Sequence, residues 1–204
     1  MKKNIAKVPC SIRMRMDVSV SAITLHPQAK TFLFEHYFTL KRVFSDVIGL
    51  LEIDYLSIAL ITRKNELLFF SSSPGIESNL IEHNLWQLDK SYHEEFIQSA
   101  QAQWWDVLYP KGDQNNLRHY KQEAEGFSIG LAIPAHFEQF RVVYSLALKS
   151  RDETIKNKLQ NEIDNLVNMG KFCLMRILKK IPLPSKQRSH VAIKPILKLV
   201  ISNK

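Results

Sequence analysis

The residue types used in most enzyme active sites are present in this chain, but not in the spacings that catalysis requires. Cys10 and Cys173 have no histidine beside them in a nucleophile-like motif, and there is no G-x-S-x-G, P-loop or G-x-G-x-x-G segment. Glu94 and Glu95 are adjacent, so on a helix their side chains point in different directions and do not form a facing acid–base pair. The sequence therefore predicts a protein that is not an enzyme.

The histidines lack the spacing of metal ligands. We interpret His83, His93 and His136 as surface residues or as hydrogen-bonded residues of the core. The two cysteines form no disulfide framework, and the chain has neither a secretory signal nor an apolar run of the roughly 18 to 20 residues that cross a membrane. We expect a cytoplasmic protein with reduced thiols, no metal, no cofactor and no membrane partner.

The net charge of +8 is concentrated at the two ends of the chain. Residues 1–15 carry five basic side chains and no acidic one, residues 170–204 carry nine and none, and the middle is net acidic. Two interpretations remain open: the ends are solubilising tails, or they bind polyanions through charge alone.

The segment EAEGFSIGLAIPAH, from Glu123 to His136, contains two of only six glycines in the chain. Its apolar run is typical of a strand, and glycine inside a strand often marks a place where a ligand or another element approaches closely. We predict a strand that makes room for a neighbour and that ends at the step from Ile133 to Pro134.

Hydrophobic periodicity divides the rest of the chain into helices and strands. TFLFEHYFTLKRVFSDVIGLL predicts a helix with Phe34, Phe38 and Val43 or Phe44 on its apolar side, and DYLSIALI and ELLFFSS predict a hairpin of two buried strands. Helices are predicted at SPGIESNLIEHNLW, at SYHEEFIQSAQAQ with Ser91 as its cap, and near NNLRHYKQEAE, while RVVYSLALKS predicts another strand.

The last element is predicted to be one long amphipathic helix. From Asp152 onward, apolar or small residues recur at steps of three and four, until Pro182 and Pro184 end the pattern. These residues are Ile155, Leu159, Ile163, Leu166, Gly170, Cys173 or Leu174, and Ile177.

This order of elements predicts an α+β protein, an α-β-α sandwich with a central antiparallel sheet, related to the GAF and PAS sensory folds. We expect a basic arm over residues 1–20, one sensory domain over 21–181, and a basic linker or tail over 182–204. Such folds hold small ligands between the sheet and its helices, which is an analogy of fold and does not establish a function.

EAEGFSIGLAIPAH resembles the segment of LuxR-type quorum-sensing regulators in which a Glu-Ala pair leads to a glycine-rich strand with an isoleucine-proline step before a histidine. The resemblance extends more weakly from Phe34 to Ile181. It implies a GAF/PAS-like autoinducer-binding fold that encloses an N-acyl homoserine lactone and dimerises through its last helix. The residues that carry the resemblance are Glu123, Ala124, Gly126, Gly130, Ile133, Pro134 and His136.

The resemblance implies a ligand-binding site built from three positions. Asp89 stands where the family has the aspartate that accepts the ligand amide N–H, although Lys90 replaces the proline that normally follows. Trp104 stands where the family has a tryptophan near the lactone, and Trp105 is a substitute for it. Gly130 matches the glycine that lets the strand approach closely.

Two positions depart from the family. Ile76 and Leu80 stand where the family has a tryptophan that donates to the lactone carbonyl and a pocket tyrosine, and neither donates a hydrogen bond. An unpaired ligand carbonyl costs about 1 to 3 kcal/mol, so we expect a non-standard ligand or a different pose. If the alignment with the family shifts, Trp86 takes the place of the missing tryptophan donor. We interpret Phe69 and Phe70 as strand residues of the core, one of which faces the cavity.

Each of these residues also has a purely structural interpretation. Asp89 is alternatively a surface or helix-capping carboxylate, and Trp104 and Trp105 are alternatively anchors of the core. Gly130 alternatively relieves crowding where the long helix packs on the sheet.

The family continues past the linker into a helix-turn-helix domain. Here PLPSKQRSH is followed by VAIKPILKLVISNK, which supplies no recognition helix, so we expect no sequence-specific DNA binding by this chain alone. Three accounts stay open: a sensor domain cut from a longer regulator, a natural truncation, or a stand-alone protein.

The sequence therefore predicts a domain that senses a small-molecule, acyl-homoserine-lactone-like autoinducer. We expect it to form a homodimer, or a heterodimer with a related regulator. The alternative is a stand-alone interaction protein or antagonist that acts by dimerisation or through its basic tails on polyanions.

Overall fold

The computed structural model describes residues 22–112, 114–152 and 154–184. The strands are β1 (Thr24–Leu25), β2 (Tyr55–Ile61), β3 (Glu66–Ser71), β4 (Gln103–Trp104), β5 (Ile129–Phe137) and β6 (Phe140–Leu148). The helices are α1 (Ala29–Glu35), α2 (Tyr37–Phe44), α3 (Pro74–Glu82), α4 (Glu94–Ser99), α5 (Trp105–Leu108), α6 (Gln114–Lys121), α7 (Thr154–Asn161) and α8 (Ile163–Lys180). Short 3-10 helices cover Leu50–Glu52, Leu85–Gln87, Lys90–Tyr92 and Glu123–Glu125.

The six strands form one sheet in the order β1-β3-β2-β6-β5-β4. Every neighbouring pair is antiparallel except the two-residue pair of β1 with β3. β2 and β3 form the predicted hairpin, and β5 and β6 form a second one. The predicted α+β class with a central antiparallel sheet is confirmed.

Helices cover both faces of the sheet, because alternate residues of each strand point to opposite sides. On β2, Leu56, Ile58 and Leu60 point to the face covered by α2, α7 and α8, which we call the α8 face. Tyr55 and Ala59 point to the face covered by α3, α4, α5 and α6, which we call the α3 face. The described residues therefore form the α-β-α sandwich that the sequence predicted.

The helix predicted from TFLFEHYF is broken in two, and half of its predicted apolar side is wrong. His36 leaves the helical conformation (φ −109°, ψ 17°), so α1 and α2 are out of phase with each other. Phe34 and Phe38 are consequently 49% and 85% exposed. Val43 and Phe44 are buried as predicted, together with Ala29, Phe32, Leu33 and Leu40.

β5 continues through the proline that was expected to end it. It runs from Ile129 to Phe137, so Pro134 lies inside the strand. β4 pairs only with Leu131 and Ala132, so beyond these residues β5 is an edge strand, where a missing N–H is tolerated.

The long last helix is interrupted at Glu162 (φ −105°, ψ 11°), which separates α7 from α8. α8 ends at Lys180, ahead of Pro182, as predicted. The predicted cap Ser91 does not begin α4, whose N-cap residue is His93. Among the described residues, no helix is both long and apolar enough to cross a membrane.

The basic arm over residues 1–20, Cys10 and the tail beyond residue 184 lie outside the described residues. The domain boundaries and the interpretation of the basic ends therefore stay predictions. Cys173 is buried on the α8 face, and burial raises the pKa of its thiol to about 12.

α8 packs closely on the sheet at Gly170. A Cβ atom at this position would lie within 3.0 Å of three ring carbons of Tyr144 on β6. Real Cβ atoms do not approach other atoms so closely, so only glycine allows this separation of helix and sheet.

We therefore predict that Gly170→Ala destabilises the protein, although alanine normally favours a helix. The added methyl group should cost about 1 to 3 kcal/mol of unfolding free energy by overpacking against Tyr144. Gly75→Ala in α3 is the matched control, because a Cβ there meets nothing within 4 Å and should be neutral or stabilising by up to about 1 kcal/mol. Urea unfolding of the two variants measures this, and equal stability would contradict it.

Candidate functional site

Three serines lie side by side across the α3 face of the sheet. The strand register places Ser57 opposite Ser71 on β3 and opposite Ser145 on β6. All three are buried: Ser57 and Ser145 lie inside the apolar strands β2 and β6, and Ser71 is the last residue of β3. They give the centre of this face a polar strip, since each hydroxyl both donates and accepts hydrogen bonds.

Glu77 of α3 lies against this strip and is fully buried. The Tyr55 hydroxyl donates a hydrogen bond to Glu77 Oε1, and the hydroxyls of Ser57 and Ser71 lie near the same carboxyl group. Oε2 has no hydrogen-bond partner among the described residues. Burial raises the pKa of Glu77 and the pKa of Tyr55, and it therefore favours the neutral form of both groups.

Asp89 is buried and uses both of its carboxylate oxygens. Oδ1 accepts hydrogen bonds from the backbone N–H of Ser91 at 3.0 Å and from the Ser91 hydroxyl at 2.6 Å. Asp89 therefore caps the 3-10 helix Lys90–Tyr92. Oδ2 accepts a hydrogen bond from Lys121 Nζ at 2.6 Å, so the same carboxylate also belongs to a buried ion pair.

The ammonium group of Lys121 is enclosed by aromatic rings. It lies 4.3 Å from the ring centroid of Trp105, 5.7 Å from that of Tyr92 and 6.0 Å from that of Tyr109. Tyr109 donates a hydrogen bond to Gln122 Oε1 at 3.0 Å, which holds its ring in place. These cation–π contacts partly replace the water that a lysine at a helix end normally keeps.

Gly130 makes room for this arrangement. A Cβ atom there would lie within 3.0 Å of three atoms of the Trp105 indole ring, so the strand glycine allows the indole to pack directly on the sheet. The Trp105 ring also packs edge-on against Tyr55, with ring centroids 6.0 Å apart. Trp105 Nε1 and Ser145 Oγ are buried and have no hydrogen-bond partner among the described residues.

An open groove of about 860 Å³ lies beside this polar cluster. Tyr92 lines the groove and is also one of the rings around Lys121, so its side chain separates the groove from the polar cluster. The groove is lined by Ala22, Ile23, Thr24, Leu25, Trp86, Gln87, Tyr92, His93, Glu94, Glu95 and Gln98.

The structure brings most of the predicted ligand-binding residues together on the α3 face. Asp89 and Trp105 meet around Lys121, and Gly130 packs against the ring of Trp105. Ile76 and Leu80 of α3 are fully buried in the same hydrophobic cluster, and Trp86 also lines the groove.

Two predicted residues lie elsewhere. Trp104 is half-buried and packs against the cluster on the α8 face, and Phe70 is buried in that cluster against Phe32. Phe69, the alternative to Phe70, points to the α3 face and packs against Tyr92 with ring centroids 5.3 Å apart.

The sequence reasoning missed Glu77, Lys121, Tyr92 and the serine strip. The sequence does indicate the serines, because Ser57, Ser71 and Ser145 each fall at the edge of or inside an apolar strand run. It does not indicate the burial of Lys121, since a lysine at the end of a polar helix is normally solvent-exposed.

The remaining polar residues take part in local contacts. His83 stacks on Tyr120, His93 Nε2 lies 2.8 Å from the carbonyl oxygen of Gln87, and Glu94 pairs with Arg141. Within the described residues, no group of histidine, cysteine, aspartate or glutamate side chains has the geometry to hold a metal ion.

Solved structures share this arrangement of strands and helices. Escherichia coli SdiA aligns with a TM-score of 0.53 at 18% identity, over 78% of this chain and 71% of SdiA. CepR2 from Burkholderia cenocepacia, an N-acylhomoserine lactone dependent LuxR family transcription factor, aligns with a TM-score of 0.52 at 13% identity, over 73% of this chain and 98% of that structure. The chain has the fold of LuxR-type autoinducer-binding domains.

SdiA in complex with octanoyl-rac-glycerol has the same autoinducer-binding fold, with a TM-score of 0.51 at 17% identity over 74% of this chain and 65% of that one. The resemblance predicted from EAEGFSIGLAIPAH is thus confirmed at the level of the fold. No protein-family profile and no curated protein matches the sequence.

We predict that Glu77→Gln gains stability relative to the wild-type protein as pH rises. Glu77 has a raised pKa in the folded state, so ionisation above the ordinary glutamate pKa of about 4.3 favours the unfolded wild-type chain. Each pKa unit between the folded and unfolded carboxyl groups is worth about 1.4 kcal/mol. The variant-minus-wild-type difference in unfolding free energy should therefore become more positive between pH 4 and pH 8.

Glu125→Gln is the control for this measurement, because Glu125 is solvent-exposed in a 3-10 helix. Its difference from the wild-type protein should stay constant over the same pH range. A constant difference for Glu77→Gln as well would contradict the raised pKa.

Proposed function

We propose that this chain is the small-molecule sensing domain of a LuxR-type regulator and not an enzyme. One observation carries the proposal: a buried polar cluster around Asp89 adjoins an open groove of about 860 Å³, on the face of the sheet opposite α8. A concave space with apolar walls and a few convergent polar groups is the usual form of a ligand site. The sensing role and the cytoplasmic location predicted from the sequence are parts of this proposal.

The walls of the groove favour a ligand with an apolar chain. Ile23, Leu25, Trp86 and Tyr92 supply apolar surface, and the cluster around Asp89 lies behind Tyr92. SdiA, which has this fold, has been solved with octanoyl-rac-glycerol, a molecule with an apolar chain and a polar head.

We propose that the ligand is not an ordinary acyl homoserine lactone. Ile76 and Leu80 are buried residues of α3, and neither side chain can donate a hydrogen bond to a ligand. Both oxygens of Asp89 already accept hydrogen bonds from Ser91 and Lys121, so an amide N–H meets a carboxylate that is already paired.

The proposal predicts that the purified protein retains a small molecule, which native mass spectrometry followed by extraction detects. In thermal-shift measurements with octanoyl-rac-glycerol, the wild-type protein should gain several degrees in Tm and Trp86→Ala should lose most of this gain. Standard acyl homoserine lactones at micromolar concentration should shift Tm by less than about 1 °C, because Ile76 and Leu80 cannot donate to the ligand carbonyl and both oxygens of Asp89 are already hydrogen-bonded.

Leu88→Ala is the matched control, because Leu88 is a neighbouring exposed residue outside the groove lining. It should keep the full gain. Failure of every small molecule to be retained or to stabilise the protein would contradict the sensing role, and strong stabilisation by a standard lactone would contradict the non-standard ligand.

We also propose that the domain dimerises through α8. Phe172 and Met175 of α8 are 38% and 42% exposed, and Leu50 is 52% exposed. Phe172 and Leu50 also line a second groove, of about 560 Å³, between α8 and the segment that follows α2. Large exposed apolar side chains that cluster in this way are typical of protein interfaces.

Phe172→Glu should convert the dimer into a monomer, since the introduced charge would be buried against an apolar partner surface. Sedimentation velocity at micromolar concentration measures this. Val107→Glu is the control, because Val107 is 64% exposed on α5, in the layer that covers the opposite face of the sheet. A wild-type protein that is monomeric at all concentrations would contradict the proposal.

A further inference from the structure

The polar end of the candidate site has the chemistry of a receptor for an ammonium group. Asp89 Oδ2 accepts a hydrogen bond from Lys121 Nζ at 2.6 Å, and three aromatic rings surround the same nitrogen. A carboxylate combined with the faces of tryptophan and tyrosine rings is the arrangement by which proteins bind organic cations.

The helix that carries Lys121 does not require this burial. α6 is a short polar helix in which only Leu117 and Lys121 are buried. A lysine at the C-terminal end of a helix interacts favourably with the helix dipole while its ammonium stays in water. Lys121 is instead 1% exposed, so its position follows from the cluster around Asp89 and not from the helix.

The same cluster offers hydrogen-bonding groups that Lys121 does not use. Tyr55 connects Glu77 to the rings around Lys121, because its ring packs on Trp105 and its hydroxyl donates a hydrogen bond to Glu77. Glu77 Oε2, Trp105 Nε1 and Ser145 Oγ are buried without a hydrogen-bond partner among the described residues. Buried polar atoms of this kind indicate a place for a further polar group.

We propose that the polar end of the site is a receptor for an organic ammonium group, and that Lys121 supplies this group from within the chain when no ligand is bound. Lys121 is thus an internal ligand. The inference rests on the proposed function only in treating this cluster as the polar end of a ligand site.

The charges of the cluster explain why a head group that displaces Lys121 should be cationic. A neutral head that displaced Lys121 would leave the Asp89 carboxylate buried without a counter-charge, which is strongly unfavourable. An ammonium head would replace one cation by another.

Chemical rescue of Lys121→Ala tests this inference. The substitution removes a fragment with the shape of n-propylammonium and leaves Asp89 unpaired, so Tm should fall by about 10 °C. n-Propylammonium chloride at tens of millimolar should restore several degrees of this loss. Neither 1-propanol, which is uncharged, nor sodium chloride should do so.

Two variants control for general effects of the amine. Lys158→Ala removes an exposed lysine that pairs with Glu52, so neither the substitution nor the amine should change Tm appreciably. In Asp89→Asn/Lys121→Ala the carboxylate is also absent, and n-propylammonium should no longer stabilise the protein. Equal stabilisation by 1-propanol, or rescue of the double variant, would overturn the inference.

A measurement on the wild-type protein keeps the inference testable if Lys121→Ala does not fold. In native protein, reductive methylation followed by mass spectrometry should modify Lys158 at least tenfold faster than Lys121. Equal rates of modification would show that the ammonium does not occupy the cluster.

The outcomes separate this inference from the proposed function. Rescue by n-propylammonium in a protein that retains no small molecule would contradict sensing but support the ammonium receptor. A retained small molecule without rescue would support sensing and overturn the ammonium receptor.

Discussion

The buried ion pair between Asp89 and Lys121 is the interaction on which the layer over the α3 face depends. Its partners are 32 residues apart in sequence, and they join the short elements around Asp89 to α6. Two charges removed from water require close contact and further polar or aromatic partners, here Ser91 and the ring of Trp105. Loss of one partner from such a pair costs about 3 to 5 kcal/mol, so the same contact organises the site and stabilises the layer.

The two faces of the sheet have different roles, and one glycine adapts each of them. Gly170 lets α8 approach Tyr144 on a face whose buried side chains are nearly all apolar. Gly130 lets Trp105 lie on the opposite face, where buried serines and carboxyl groups replace part of the apolar core. Close packing supports the sheet from one side, while the other side holds a buried polar cluster.

Local patterns predicted the elements well where one periodicity extended over a whole element. The β2–β3 hairpin followed from two continuous apolar runs separated by TRKN, because both faces of these strands are buried. The apolar stripe of α8 followed from its spacing, because only one side of the helix is buried. The break at His36 did not follow, because nothing in the local sequence forbids a continuous helix there. Only the packing of α1 against β3 and α3, and of α2 against β3 and α8, decides which phenylalanines are buried.

The sequence by itself determined the class of fold and the strand containing Gly130, because backbone sterics and hydrophobic periodicity are local properties. Asp89 was singled out only by the resemblance to LuxR-type regulators, and its part in ligand binding stays a prediction. The tertiary structure decided what surrounds Asp89. Strand register aligned Ser57 with Ser71 and Ser145, and the return of α6 over the sheet brought Lys121 to the carboxylate. Contacts between residues so distant along the chain arise from the packing of whole elements, which no local pattern encodes.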